Sequence, residues 1–113
     1  MLKPKSIVAV WVVAIFVLTT AGSVIAGDEI RITLKDNRFH PAEVKANAGV
    51  EITLIVRNDD KMAEEFESRD LKQEKLIRAG GTATLKIRPL KAGTYEFFGE
   101  FHPETAKGRL VIE

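Results

Sequence analysis

The chain has 113 residues, no cysteine and a formal net charge of +1. Setting aside two lysines in an acid-free apolar leader leaves fifteen basic against sixteen acidic groups, well interspersed, which is no electrostatic footprint for nucleic acid. The missing thiols exclude disulfides, thiolate metal ligation and thiol catalysis, and the length allows one small domain with a thin core.

The leader, residues 1–26, reads as a secretory signal peptide. Lys3 and Lys5 form a positive start, Ile7 to Leu18 is an unbroken apolar run, and Val24 and Ala26 precede Gly27; this is the pattern that signal peptidase accepts. The competing reading is an uncleaved anchor, because residues 7–26 are just long enough to span a bilayer. Either reading puts the domain, residues 27–113, outside the cytoplasmic membrane. For a bacterial source the compartment is the periplasm.

After Gly27 the apolar residues alternate, with no sustained helical period. Ile30, Ile32 and Leu34 form one face of a first strand, and Asp36-Asn37 turns the chain. Phe39 to Ala46 is an edge strand broken at Pro41. Asn47-Ala48-Gly49 is a turn, and Glu51 to Asn58 is a strand with Ile52, Leu54 and Val56 on one face. Asn58 to Lys61 is a polar loop. Short strands follow at Glu65–Ser68 and Glu74–Ile77, and Lys61 to Lys75 has room for one helical turn. Ala79-Gly80-Gly81 is the next turn, and Ala83, Leu85 and Ile87 share a face up to Pro89. Thr94–Glu100 and Gly108–Ile112 are the last strands. About eight strands at this spacing predict an all-β fold, a single Greek-key β-sandwich. Leu90 to Tyr95 has the spacing of a tyrosine corner, in which the phenol bonds back to the upstream backbone.

No catalytic pattern stands out. The chain has no nucleophile elbow, no glycine-rich phosphate loop and no HExxH helix. Of the two histidines, His40 precedes Pro41 in the edge strand and reads as a surface residue. His102 lies in the run Tyr95-Glu96-Phe97-Phe98-Gly99-Glu100-Phe101-His102-Pro103, ahead of Gly108.

That run resembles the last two strands of a cupredoxin. The resemblance spans residues 29–113. In that family the tyrosine-corner strand delivers a cysteine ligand, then a histidine three residues later, then a methionine before a glycine. Tyr95, Phe97, His102 and Gly108 fit this pattern. Upstream, Asn58 through Phe66 matches the stretch that carries the family's first histidine. Gly99 stands where the cysteine belongs, Glu64 stands where the first histidine belongs, and no methionine lies near Ala106. A blue copper site needs a short thiolate bond, so this family activity is excluded.

Carboxylates take the place of the missing ligands. With Phe66 in the core, strand parity turns Glu64 inward and Glu65 and Glu67 outward. On the neighbouring strand Gly99 points inward and Glu100 outward. The candidate metal ligands are therefore His102, Glu100, Glu65, Glu67 and Glu64, with His102 and Glu64 at the inner position and the others on the outer rim. Carboxylate oxygens with one imidazole suit iron, manganese or divalent copper. Like charges this close repel by about 4 kcal/mol per pair at 4 Å and an effective dielectric near 20; a cation relieves that repulsion, and so would Lys72, Lys75 or Lys107.

Glu64–Ser68, Glu74-Lys75 and Pro89–Ala106 together resemble a cysteine-free group of small exported cupredoxin-like proteins. Members accompany membrane iron permeases and a periplasmic iron-binding partner. The Glu65-Phe66-Glu67 element is similar to one in the cupredoxin-like domain of imelysin-type iron-uptake proteins. The resemblance implies a periplasmic metal-binding protein, holding iron and/or copper and serving ferrous iron uptake, at most an accessory in iron oxidation. The alternatives are a periplasmic copper carrier or buffer, and a metal-free interaction scaffold.

Overall fold

The computed structural model describes residues 27–113, together with residues 2–4, 12, 14 and 15. The apolar run that reads as signal segment or anchor lies largely outside the described residues. No helix among the described residues is long and apolar enough to cross a membrane.

Among the described residues nine strands follow in order: β1 (Asp28–Lys35), β2 (Arg38–His40), β3 (Glu43–Ala46), β4 (Ile52–Asn58), β5 (Glu64–Ser68), β6 (Gln73–Ile77), β7 (Thr82–Ile87), β8 (Gly93–Gly99) and β9 (Lys107–Ile112). They form two sheets, ordered β2-β1-β4-β7 and β3-β9-β8-β5-β6. β1 runs parallel to β4 and β3 parallel to β9, while the remaining pairs are antiparallel. The alternation seen in the sequence becomes the burial pattern. Ile32, Leu34, Ile52, Leu54, Val56, Ala83, Leu85 and Ile87 turn in from the first sheet, and Phe66, Phe97, Leu110 and Ile112 from the second.

Two expectations need correction. The edge strand expected over Phe39–Ala46 is two strands, β2 and β3, each bordering a different sheet. Pro41 lies between them, where it removes no ladder hydrogen bond. The helical turn allowed for in Lys61–Lys75 is absent. That stretch holds β5, a turn at Arg69–Lys72 and β6, because Phe66, Ser68 and Leu71 all find buried places against the second sheet. The Asp36-Asn37 turn places both residues at positive φ, 53° and 56°, a conformation that Asn and Asp tolerate and that suits a two-residue hairpin.

The core is centred on three aromatic rings drawn from both sheets. Phe66 and Phe97 stack with centroids 5.1 Å apart, and Phe39 meets them edge-on at 6.0 and 5.1 Å. These geometries complement the ring quadrupoles. The tyrosine corner is present: Tyr95 Oη donates to the Lys91 carbonyl at 2.9 Å.

Candidate metal centre

Two loops feed the end of the second sheet where β5 begins and β8 ends. The first is held by Asn58, which is fully buried. Its Nδ2 donates to the carbonyls of Met62 and Ile77 at 2.8 and 3.1 Å, and its Oδ1 accepts the Asp60 amide at 3.0 Å. These bonds fix the path into β5. At the far end of the β5–β6 hairpin, Ser68 Oγ donates to the Glu96 carbonyl at 2.5 Å and accepts the Leu71 amide. Asp70 accepts the Glu96 amide at 2.9 Å. The hairpin is thus pinned to β8 by side chains as well as by its ladder.

The second loop, residues 100–106, closes on itself. Gly99 donates to the Ala106 carbonyl at 2.8 Å, and Ala106 donates to that of His102 at 2.8 Å. Phe66 pairs with Gly99 and Glu67 with Phe98; continuing that register puts Glu65 opposite Glu100, whose amide donates to the Glu65 carbonyl at 2.8 Å.

The five candidate residues divide into two groups. Glu65, Glu67 and Glu100 project from the outer face, with carboxylate oxygens that lie within 4.8 Å of one another. Among the described residues none of them is in an ion pair; Lys72, Lys75 and Lys107 are not paired with them. Glu74 pairs with Glu67 across the hairpin, on the same face. Hydrogen bonding to the Glu74 carboxyl, then to that of Glu100, pushes Glu65 up to about 7. Partial desolvation raises Glu67, helped by Glu100 and Glu74, while Arg69 opposes the shift. Glu74 lies outside the converging set, yet it is a neighbour of these carboxylates that the sequence reading does not bring to this face. Its signal was available in the four-residue turn, which sets Glu74 across from Glu67 once β5 and β6 are read as a hairpin.

The other group points inward. Glu64 is 2% exposed. Its Oε1 accepts the amides of Phe101 at 2.8 Å and Glu65 at 3.0 Å. His102 Nδ1 lies 2.7 Å from Glu64 Oε2, and donation from the ring N–H satisfies that acceptor. The His102 side chain is 26% exposed, and its Nε2 makes no hydrogen bond to a described residue. His40 is exposed, with Nε2 3.1 Å from the Lys35 carbonyl.

Blue copper does not fit this interior. The chain has no thiol, and the space beside Gly99 is taken. A Cβ on Gly99 would lie 2.7 Å from Glu64 Cδ and 2.8 Å from Ala106 Cβ, distances that real Cβ atoms do not tolerate.

The family model for the cupredoxin-like domain matches residues 7–112. An uncharacterized protein of Rickettsia prowazekii (strain Madrid E) is 42% identical over 84 residues, 74% of this chain and 67% of that protein. Auracyanin A, a blue copper protein of Chloroflexus aurantiacus, superposes with a TM-score of 0.67 at 16% identity, over 78% of this chain and 100% of its own. The metal-binding domain of the Cu(I)-exporting P-type ATPase CopA of Streptococcus pneumoniae D39, solved with Cu(I), superposes with a TM-score of 0.65 at 17% identity, over 75% and 84%. At such identities the likeness to these structures is one of fold.

Proposed function

The chain belongs to the cupredoxin-like domain family, and on that premise we propose that it binds an iron ion at the outer carboxylates Glu65, Glu67 and Glu100. In this reading it works in the periplasm and serves ferrous iron uptake beside a membrane iron permease and a periplasmic iron-binding protein. The observation that carries the metal reading is the convergence of three oxygen donors within 4.8 Å with no cation paired to them among the described residues. Carboxylates at such spacing are costly when all are ionised, which is why Glu65 keeps its proton up to about 7, and they are favourable around a cation. Oxygen donors suit hard ions such as manganese and iron and do not select soft Cu(I), although copper(II) stands above both in the general order of divalent affinities. The permease and its partner rest on the resemblance of Glu64–Ser68 and Pro89–Ala106 to the iron-associated group.

Copper carriage is the second reading, supported by His102, whose imidazole is a nitrogen donor of the kind copper takes and is held by Glu64 on the loop after β8. Calorimetric titration with iron(II), manganese(II) and copper(II) separates the two. Glu65→Gln with Glu100→Gln should weaken iron and manganese more than copper, and His102→Ala should remove most copper binding. His40→Ala should change neither. Copper loading should give no intense blue band, for want of a thiolate. Heat signals indistinguishable from buffer for all three metals would leave only an interaction scaffold.

A further inference from the structure

Glu64 was grouped with the ligands by strand parity, yet its geometry assigns it another task. We propose that Glu64 is a positioning residue: its buried carboxylate stands in the family's metal position and clamps the 100–102 turn onto β5, so that Glu100 is held beside Glu65 and His102 turns Nε2 outward. The inference rests on the outer-site reading for what the clamp serves, and on hydrogen bonds alone for the clamp itself.

All three hydrogen bonds of Glu64 go to the two segments that build the outer rim. Oε1 takes the amides of Glu65 and Phe101, and Oε2 takes the His102 ring nitrogen. Glu65 follows Glu64 in the chain, and Glu100 precedes Phe101. Each amide bond to the carboxylate therefore fixes the backbone next to an outer ligand. The bond from the Glu100 amide to the Glu65 carbonyl is the last backbone tie between these strands; beyond it the side chain of Glu64 takes over. Gly99 makes this possible, since a Cβ there would lie 2.9 Å from Oε2 as well as 2.7 Å from Cδ. Glycine at 99 and glutamate at 64 are a matched pair.

The clamp also sets the histidine tautomer. A carboxylate oxygen beside Nδ1 holds the proton there, which leaves the Nε2 lone pair for a ligand. Metal-binding histidines use a carboxylate on the far nitrogen in this way, and loss of such a partner weakens metal binding about 10–100-fold. A ligand role for Glu64 through Oε2 would instead displace the His102 ring bond, and a bidentate one the Phe101 and Glu65 amides as well.

The experiment follows hydrogen exchange at the Phe101 amide and the His102 nitrogen signals by NMR on the full chain, with magnesium(II) as a diamagnetic, oxygen-seeking probe. Manganese(II) calorimetry supplies the affinities. In wild type, magnesium should leave the His102 Nδ1–H and the protected Phe101 amide in place. Glu64→Gln should keep the fold, shift neutral His102 to the Nε2–H form, speed exchange at Phe101 and weaken manganese about 10–100-fold. Loss of the Nδ1–H signal on adding magnesium, with or without loss of Phe101 protection, would make Glu64 a ligand and overturn the proposal. So would unchanged Phe101 exchange with manganese affinity intact in Glu64→Gln. The magnesium arm needs no variant and decides the matter even if Glu64→Gln fails to fold. If wild type binds neither ion, the outer-site reading falls alone, and the Phe101 exchange comparison still decides the clamp.

Discussion

At the scale of single residues, protonation of Glu65 is the most consequential property. Its pKa of about 7 lies above the ordinary 4.5 because the carboxyls of Glu74 and Glu100 crowd it. The folded protein thus holds this proton more tightly than the unfolded chain does. Glu65 therefore favours the fold fully below pH about 4.5 and loses that contribution as pH rises through about 7. Metal-free protein should melt at a lower temperature at pH 8 than at pH 5.5, and the difference should shrink in Glu65→Gln. A metal acts in the opposite sense, competing with the same proton, so binding should weaken as pH falls from 8 to 6. Thermal scans at both pH values, with and without manganese, check this; identical melting at pH 5.5 and 8 without metal would contradict it. The carboxylates at 64, 65 and 67 illustrate how much two-residue periodicity conveys. Three acids within four residues separate into one buried hydrogen-bond acceptor and two outward groups, as alternation along a strand requires.

At the scale of elements, the β5–β6 hairpin makes the site more acidic than either strand alone. Glu74 enters only because Glu67 is its direct partner across the ladder. Glu74→Gln removes the largest cause of the raised Glu65 pKa. The Glu65 midpoint, followed by carbon NMR of its side-chain carboxyl, should move down toward the ordinary carboxylate range, while Glu96→Gln, further down β8, should leave it in place. A Glu65 midpoint that stays near 7 in Glu74→Gln would mean the two carboxyls do not meet. The hairpin's placement depends on Ser68 and Asp70, which grip both backbone groups of Glu96. Those contacts join residues 26 to 28 positions apart, and no local pattern announces them.

At the scale of the whole molecule, both sheets meet at Phe39, Phe66 and Phe97. Phe97 also lies over Gly108, where an added Cβ would run into its ring. Phe97→Ala should cost about 3–5 kcal/mol, read as a lower urea midpoint. A loss under about 1 kcal/mol would show that the sandwich does not depend on this cluster. The leader is the other large-scale feature. Its charge pair, apolar run and Val24/Ala26 pattern predict export with cleavage before Gly27. Mass spectrometry of the exported protein should show residues 1–26 missing; a full-length, membrane-bound product would make the segment an anchor.

Most of the strands, the turns at Asp36-Asn37 and Gly80-Gly81, the tyrosine corner and the facing of Glu64, Glu65 and Glu67 are legible in the sequence. Each depends on side-chain period or local turn chemistry, which short stretches of chain carry in full. The missing cysteine likewise excludes blue copper on the sequence alone. Other features depend on partners distant in the chain. The division of Phe39–Ala46 between two sheets, the entry of Glu74 into the carboxylate cluster and the grip of Glu64 on Phe101 and His102 were decided only by tertiary structure. In each case the deciding contact is a hydrogen bond or strand pairing whose register is set by core packing, and parity says which way a side chain points but not what it meets there.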